Sequence, residues 1–191
     1  MGQRTDRPSR DRVAAASGRT VPGVLGPNLD VIFCGINPGL YSGAVGHHFA
    51  RPGNRFWKAL HLGGFTDRVL DPEEDRELLR YGCGITNLVA RASAGAAELD
   101  ADELRGGAGR LADVAGKHVP SAVAILGIGA YRTAFRESRA APGPQVRRLG
   151  PSLIWVLPNP SGLNAHHQLD DLGERFGALR VAVRAGRPVP E

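Results

Sequence analysis

The sequence predicts an α/β protein, a three-layer α/β/α sandwich with a short, mainly parallel central sheet. Three runs, at 30–35 (apolar from Val31 on), 122–126 and 153–157, are continuously apolar, as strands covered on both faces must be. Stretches with helical spacing lie between them. This alternation of strand and helix, without an evident linker, argues for parallel strands joined by crossovers.

Residues 1–22 are poor in hydrophobes and hold five arginines against two aspartates, the composition of a disordered basic tail. Such an arm would add salt-sensitive attraction to phosphates. Residues 23–187 are expected to form a single domain, and 188–191 a frayed end. Asn54 can cap a helix in which Phe56 and Leu60 share a face and Gly63-Gly64 ends it. Asp71-Pro-Glu-Glu74 combines a cap, a proline at the first helical position and acidic residues at the positive helix end, so a helix should run to about Arg80. A short strand is expected near 84–86, and a helix over about 101–118 that stops before Pro120. Tyr131 and Phe135, four apart, belong to a short helix after Gly129, and Leu169, Leu172, Phe176, Leu179 and Val183 mark a closing amphipathic helix.

At 191 residues the chain can bury a good core, and 42% hydrophobic content with 26 glycines suits a compact, loop-rich protein. Two cysteines, Cys34 and Cys83, are too few for a disulfide framework or a four-cysteine metal or iron–sulfur site, which suits a reducing compartment. The sequence has no apolar run of membrane-spanning length and no apolar signal core, so the expectation is a soluble, cytoplasmic monomer with no membrane contact. The net charge is +5, but the first 22 residues supply +3 of it, so the body is not a generally basic surface. His47 and His48 are adjacent, a pairing usual for solvated loop histidines, and with no third ligand nearby no metal site is expected.

Two loops draw attention because they end apolar runs. The first places one amide, Asn37, between Ile36 and Pro38; the second is Pro158-Asn-Pro-Ser-Gly-Leu163. In α/β proteins, ligands bind at such strand ends, and these two loops could face each other across one cleft. Asn-Pro-Gly also makes an ordinary turn.

The stretches Gly35-Ile-Asn-Pro-Gly-Leu40, Gly46-His-His-Phe49, Gly53-Asn-Arg-Phe-Trp-Lys58, Gly84-Ile-Thr-Asn-Leu-Val89 and Pro158-Asn-Pro-Ser-Gly162 carry a resemblance. Over roughly residues 30 to 180 the chain is similar to the mismatch-specific uracil/thymine-DNA glycosylases, a branch of the uracil-DNA glycosylase superfamily. The resemblance implies hydrolysis of the N-glycosidic bond of uracil, and of other damaged pyrimidines, opposite guanine in double-stranded DNA. The base is flipped out and water attacks the sugar, with no cofactor or metal. It implies that Asn37 positions the water and that Ile36, Gly39, Ser42, Phe49 and Asn87 form the base pocket. Phe49 would stack on the base, Ser42 would sense its 5-position and Asn87 would contact its edge. On sequence alone these three also read as a core phenylalanine, a turn serine and a cap. Gly162, Leu163, Asn164 and His166 correspond to the wedge that fills the vacated stack.

The chain departs from the family at two places. Ala165 stands where related enzymes place an arginine, leaving recognition of the orphaned guanine to His166 and main-chain groups. Ala90 stands where the family carries an acidic residue, while Asn159, where sister families have a histidine, fits the mismatch-specific branch. Ala90 leaves open a non-catalytic damaged-DNA-binding protein, and the strand-end loops alone would also suit a small-molecule nucleotide binder. The only lysines, Lys58 and Lys117, fall in expected surface helices, which argues against a Schiff-base lyase.

Overall fold

Strands β1 (Val31–Gly35), β2 (Cys83–Asn87), β3 (Ala122–Leu126), β4 (Gly143–Leu149) and β5 (Ser152–Leu157) form one sheet in the order β2-β1-β3-β5-β4. The first four in that order are parallel and β4 pairs antiparallel with β5 at the edge. The structure is a computed structural model that describes residues 7–162 and 167–186.

Every residue of β1 and β3 is buried, because the sheet is covered on both sides. Side chains alternate across a strand, so successive residues enter different layers. Val31, Phe33, Ala122 and Ala124 join α3 (Phe56–Leu62) and α6 (Leu169–Ala185) in one core cluster. Cys34, Val123 and Ile125 join α4 (Ala101–His118) and α5 (Ile128–Phe135) in the other. Phe33 anchors the first layer, stacked on Phe176 at 5.6 Å and edge-on to Phe56 at 5.5 Å. Both cysteine thiols are buried, and burial pushes the Cys83 pKa up to about 12, so neither is a reactive thiolate. None of the helices among the described residues is long and apolar enough to cross a membrane.

The three-layer architecture and the expected strands are present; the differences lie elsewhere. Residues 72–81 form a 3₁₀ helix, with Glu74 off helical geometry at φ −94° and ψ 15°. Its Asp71–Glu74 capping box, read as the start of an α-helix, is in place. Unpredicted elements include β4, which carries Pro144, a register shift and a fully exposed Val146 and so lacks an apolar face, and the short helix α2 (Leu40–Val45).

The larger correction concerns the N-terminal segment. Its described part, from residue 7, is not a disordered tail. Ser9 caps α1 (Arg10–Ala14), and Ala16 is fully buried against α2, where a Cβ on Gly43 would lie 3.3 Å from the Ala16 carbonyl oxygen. Gly18 N–H donates to Ala92 O at 2.9 Å, Ala92 N–H to Arg19 O at 2.7 Å, and Val24 and Ile85 exchange both backbone bonds at 2.9 Å. Composition missed this strap because it is held by main-chain hydrogen bonds and by alanine, valine and glycine rather than by large apolar side chains. Ala16→Asp would bury a charge in that contact, so chemical denaturation should show a loss of about 2–4 kcal/mol. An unchanged unfolding midpoint would mean that the strap is detached in solution.

Candidate active site

In the order β2-β1-β3 the chain leaves β1 to one side and returns on the other, so a crevice opens at its carboxyl end. The loops leaving β1, β2 and β5, with Leu126 at the end of β3, enclose a cleft of about 360 Å³ there. Asn37, Ile36, Gly39, Ser42, Phe49 and Asn87 all line it.

Asn37 is clamped by its nitrogen. Nδ2 donates to Ser93 Oγ at 2.8 Å, Pro38 O at 3.0 Å and Arg91 O at 3.2 Å. Three acceptors around two amide hydrogens fix the plane of the side chain and leave Oδ1, which has no partner among the described residues, as an acceptor at the cleft. Ser93 is fully buried and passes its own hydrogen to Gly95 O at 2.8 Å. The same loop is braced by α4: Arg91 makes a two-pronged pair with Glu103 at 2.5 and 2.8 Å, and Arg110 donates to Leu88 O at 2.8 Å. The Arg91 guanidinium holds the Glu103 carboxyl down at about 2, so the brace stays ionised across the physiological range. No aspartate or glutamate lines the cleft among the described residues.

Several of the residues read as a base pocket are set by the loop after α2. Phe49 adopts φ +53°, a left-handed conformation rare for a bulky residue, and stacks on Phe56 at 4.0 Å. Ser42 Oγ, buried in α2, accepts from Ala50 N–H at 3.1 Å and so ties this loop down. Gly35 has no alternative here, because a Cβ would sit 2.4 Å from Asn87 Oδ1 and 3.2 Å from the Phe49 ring. His48 corrects the sequence reading: it is a buried residue that bridges Pro22 O at 2.9 Å and the Asn87 amide at 3.3 Å, not a solvated loop histidine. His47 reaches Asp75, also buried, at 3.1 Å.

The loop after β5 meets the cleft through Asn159 and Ser161. Arg55 holds it: the guanidinium donates to the carbonyls of Pro160, Ser161 and His167, and Arg55 N–H to Pro160 O at 3.0 Å. Gly162 is exposed and so close to Gly53 that a Cβ would lie 2.6 Å from its carbonyl oxygen. Leu163, Asn164 and His166, read as the wedge, lie outside the described residues. Ala90 is exposed and does not line the cleft, and neither lysine does.

Sequence reading missed Ser93, His48 and Arg55. Ser93 stands in an unremarkable Ala-Ser-Ala-Gly loop with no local signal at all. The Gly53-Asn-Arg-Phe-Trp57 motif did flag the neighbourhood of Arg55, but not its grip on a loop a hundred residues away.

The sequence profile of the uracil DNA glycosylase superfamily matches residues 22–180. The chain belongs to this superfamily. Membership implies a DNA glycosylase, a hydrolase of DNA repair, with DNA as its partner. The fold is also that of a candidate uracil DNA glycosylase from Methanosarcina acetivorans, solved by solution NMR. That protein is 19% identical, with a TM-score of 0.56, covering 87% of this chain and 98% of the other.

Two outcomes follow from the geometry. Burial lowers the His48 pKa below its ordinary 6.5, with the Pro22 carbonyl and Asp75 opposing and His47 reinforcing the shift. As pH falls through about 6.5, the unfolded chain takes up a proton that the folded His48 refuses, so stability is lost on the acid side. Urea unfolding followed from about pH 7.5 to about pH 5.5 should show that loss, and a shallower one in His48→Gln; parallel curves would remove His48 from the linkage. Ala90→Asp places its carboxylate in solvent, outside the cleft, so its rate of base release should stay within about twofold of wild type. A larger change in single-turnover assays would mean that position 90 reaches the reacting sugar.

Proposed function

We propose that the protein is a monofunctional DNA glycosylase of the mismatch-specific branch, removing uracil and related damaged pyrimidines opposite guanine in double-stranded DNA. One observation carries the reading: a nitrogen-clamped asparagine, Asn37, whose oxygen remains an acceptor beside the aromatic pocket of Phe49.

The chemistry follows from that arrangement. As the C1′–N1 bond of the flipped nucleotide breaks, positive charge grows on the sugar and negative charge on the base. Asn37 Oδ1 accepts a hydrogen bond from water and aims its lone pair at C1′, which forms the new C1′–O bond. The water's proton leaves to solvent and the base departs as an anion that is then protonated. With no carboxylate at the cleft among the described residues, the water is oriented rather than deprotonated beforehand, and catalysis rests on placement. Phe49 supplies the π surface, and Asn87 the polar edge. The wedge assigned to Leu163 would hold the helix open. Neither Lys58 nor Lys117 is at the cleft to form a Schiff base, which supports release of an intact abasic site.

The test is a G·U duplex incubated with the protein, treated with alkali and examined for scission at uracil. Scission by wild type, slowed on the order of 10²-fold or more in Asn37→Ala with duplex affinity nearly unchanged, is the expected result. Tight binding without scission would instead support a damaged-DNA-binding protein that flips bases without cutting. Full activity in Asn37→Ala would take Asn37 out of the mechanism.

A further inference from the structure

A carboxamide can exchange its donor and acceptor by a half-turn of the side chain, so an asparagine that reads a base must be told which way to face. At Asn87 the surroundings settle this by elimination. The Pro22 carbonyl only accepts, and it lies 2.9 Å from His48 Nε2, so Nε2 carries the hydrogen. A neutral imidazole then presents Nδ1 as a lone pair, and the Asn87 atom that can face it, at 3.3 Å, is the donor Nδ2. Asn87 Oδ1 is thereby turned over Gly35, where only a glycine leaves room for it. His48 is 2% exposed, so water does not replace either bond.

We infer that Pro22 and His48 form a positioning relay that locks the Asn87 amide in the one orientation complementary to uracil. The inference rests on the glycosylase reading above. Uracil offers N3–H as donor and O4 as acceptor; the locked amide offers Oδ1 and the second hydrogen of Nδ2 to match. Cytosine reverses both positions, with N3 as acceptor and N4–H₂ as donor, and would need the amide turned over. Turning it would set Oδ1 against the Nδ1 lone pair. Moving the imidazole proton to Nδ1 instead would set a lone pair on Nε2 against the Pro22 carbonyl. Either way two acceptors face each other in a buried site, the costly arrangement that makes the lock selective. The relay starts in the N-terminal strap, so that segment takes part in base selection through its backbone, without touching the base.

The experiment is a double-mutant cycle on single-turnover uracil release from a G·U duplex, using wild type, His48→Leu, Asn87→Ala and the double variant. His48→Leu is expected to slow wild type about tenfold and the Asn87→Ala background less than about twofold, because the histidine acts only through the amide. His48→Gln can donate to Pro22 and accept from Asn87, and should recover most of the rate. Should His48→Leu fail to fold by circular dichroism, His48→Asn, polar but too short to span both partners, replaces it in the cycle with the same expected coupling. Equal losses in both backgrounds, or a full rate in the histidine variant, overturn the relay while leaving the glycosylase intact. No uracil release by wild type overturns the glycosylase reading and the relay together.

Discussion

Asn37 leaves the end of β1 with its side-chain nitrogen shared among Ser93 Oγ, Pro38 O and Arg91 O, and this shared donor joins the loop after β1 to the loop after β2. A single amide thus does two things at once. It donates to acceptors on both loops, and its own oxygen is held still as a result. The arrangement needs both loops in register, which the parallel pairing of β1 with β2 supplies, Gly35 lying opposite Asn87. It also needs the second loop to be stiff, which the Arg91–Glu103 pair and the Arg110 bond to Leu88 O provide from α4. The charged pair is partly exposed and contributes little to global stability. Its value is geometric, because it fixes the carbonyl that fixes the amide.

The same logic recurs around the cleft. Side chains that face the substrate space are each held in place by a main-chain group or a neighbouring side chain. Ser42 is held by Ala50 N–H, Asn87 by His48, and the loop after β5 by three carbonyl bonds from Arg55. Glycines stand where these supports press closest, as at Gly35. A cleft built this way suits catalysis by placement, because little motion is left to freeze at the moment of reaction.

The strap of residues 7–24 is part of this support. Its Gly18 and Arg19 pair with Ala92, next to Ser93, and its Pro22 carbonyl receives His48. The segment therefore touches both halves of the site, the Asn37 half through Ala92 and the Asn87 half through His48. A stretch with the composition of a solvated tail becomes structural because the backbone itself can pair wherever an edge is left open beside β2.

The sequence by itself determined four of the five strands, most helices and several of the residues that line the cleft, Asn37 among them. Continuous apolar runs at 31–35 and 122–126 admit few arrangements besides doubly covered strands. An amide between an apolar strand end and a Pro-Gly turn, as at Asn37, marks a ligand edge within a short window. Those signals are local, so they can be read from neighbours in the chain. Tertiary structure alone decided the rest. Ser93 lies 56 positions from Asn37, Asn87 39 from His48, and Ser161 106 from Arg55. Nothing near any of these residues in sequence distinguishes a loop serine from an anchor, or a solvated histidine from a buried bridge. Nor does composition reveal a strap bound by backbone groups, which every residue carries alike. Only the register of the sheet, bringing the ends of β1, β2 and β5 to one edge, gives those groups partners.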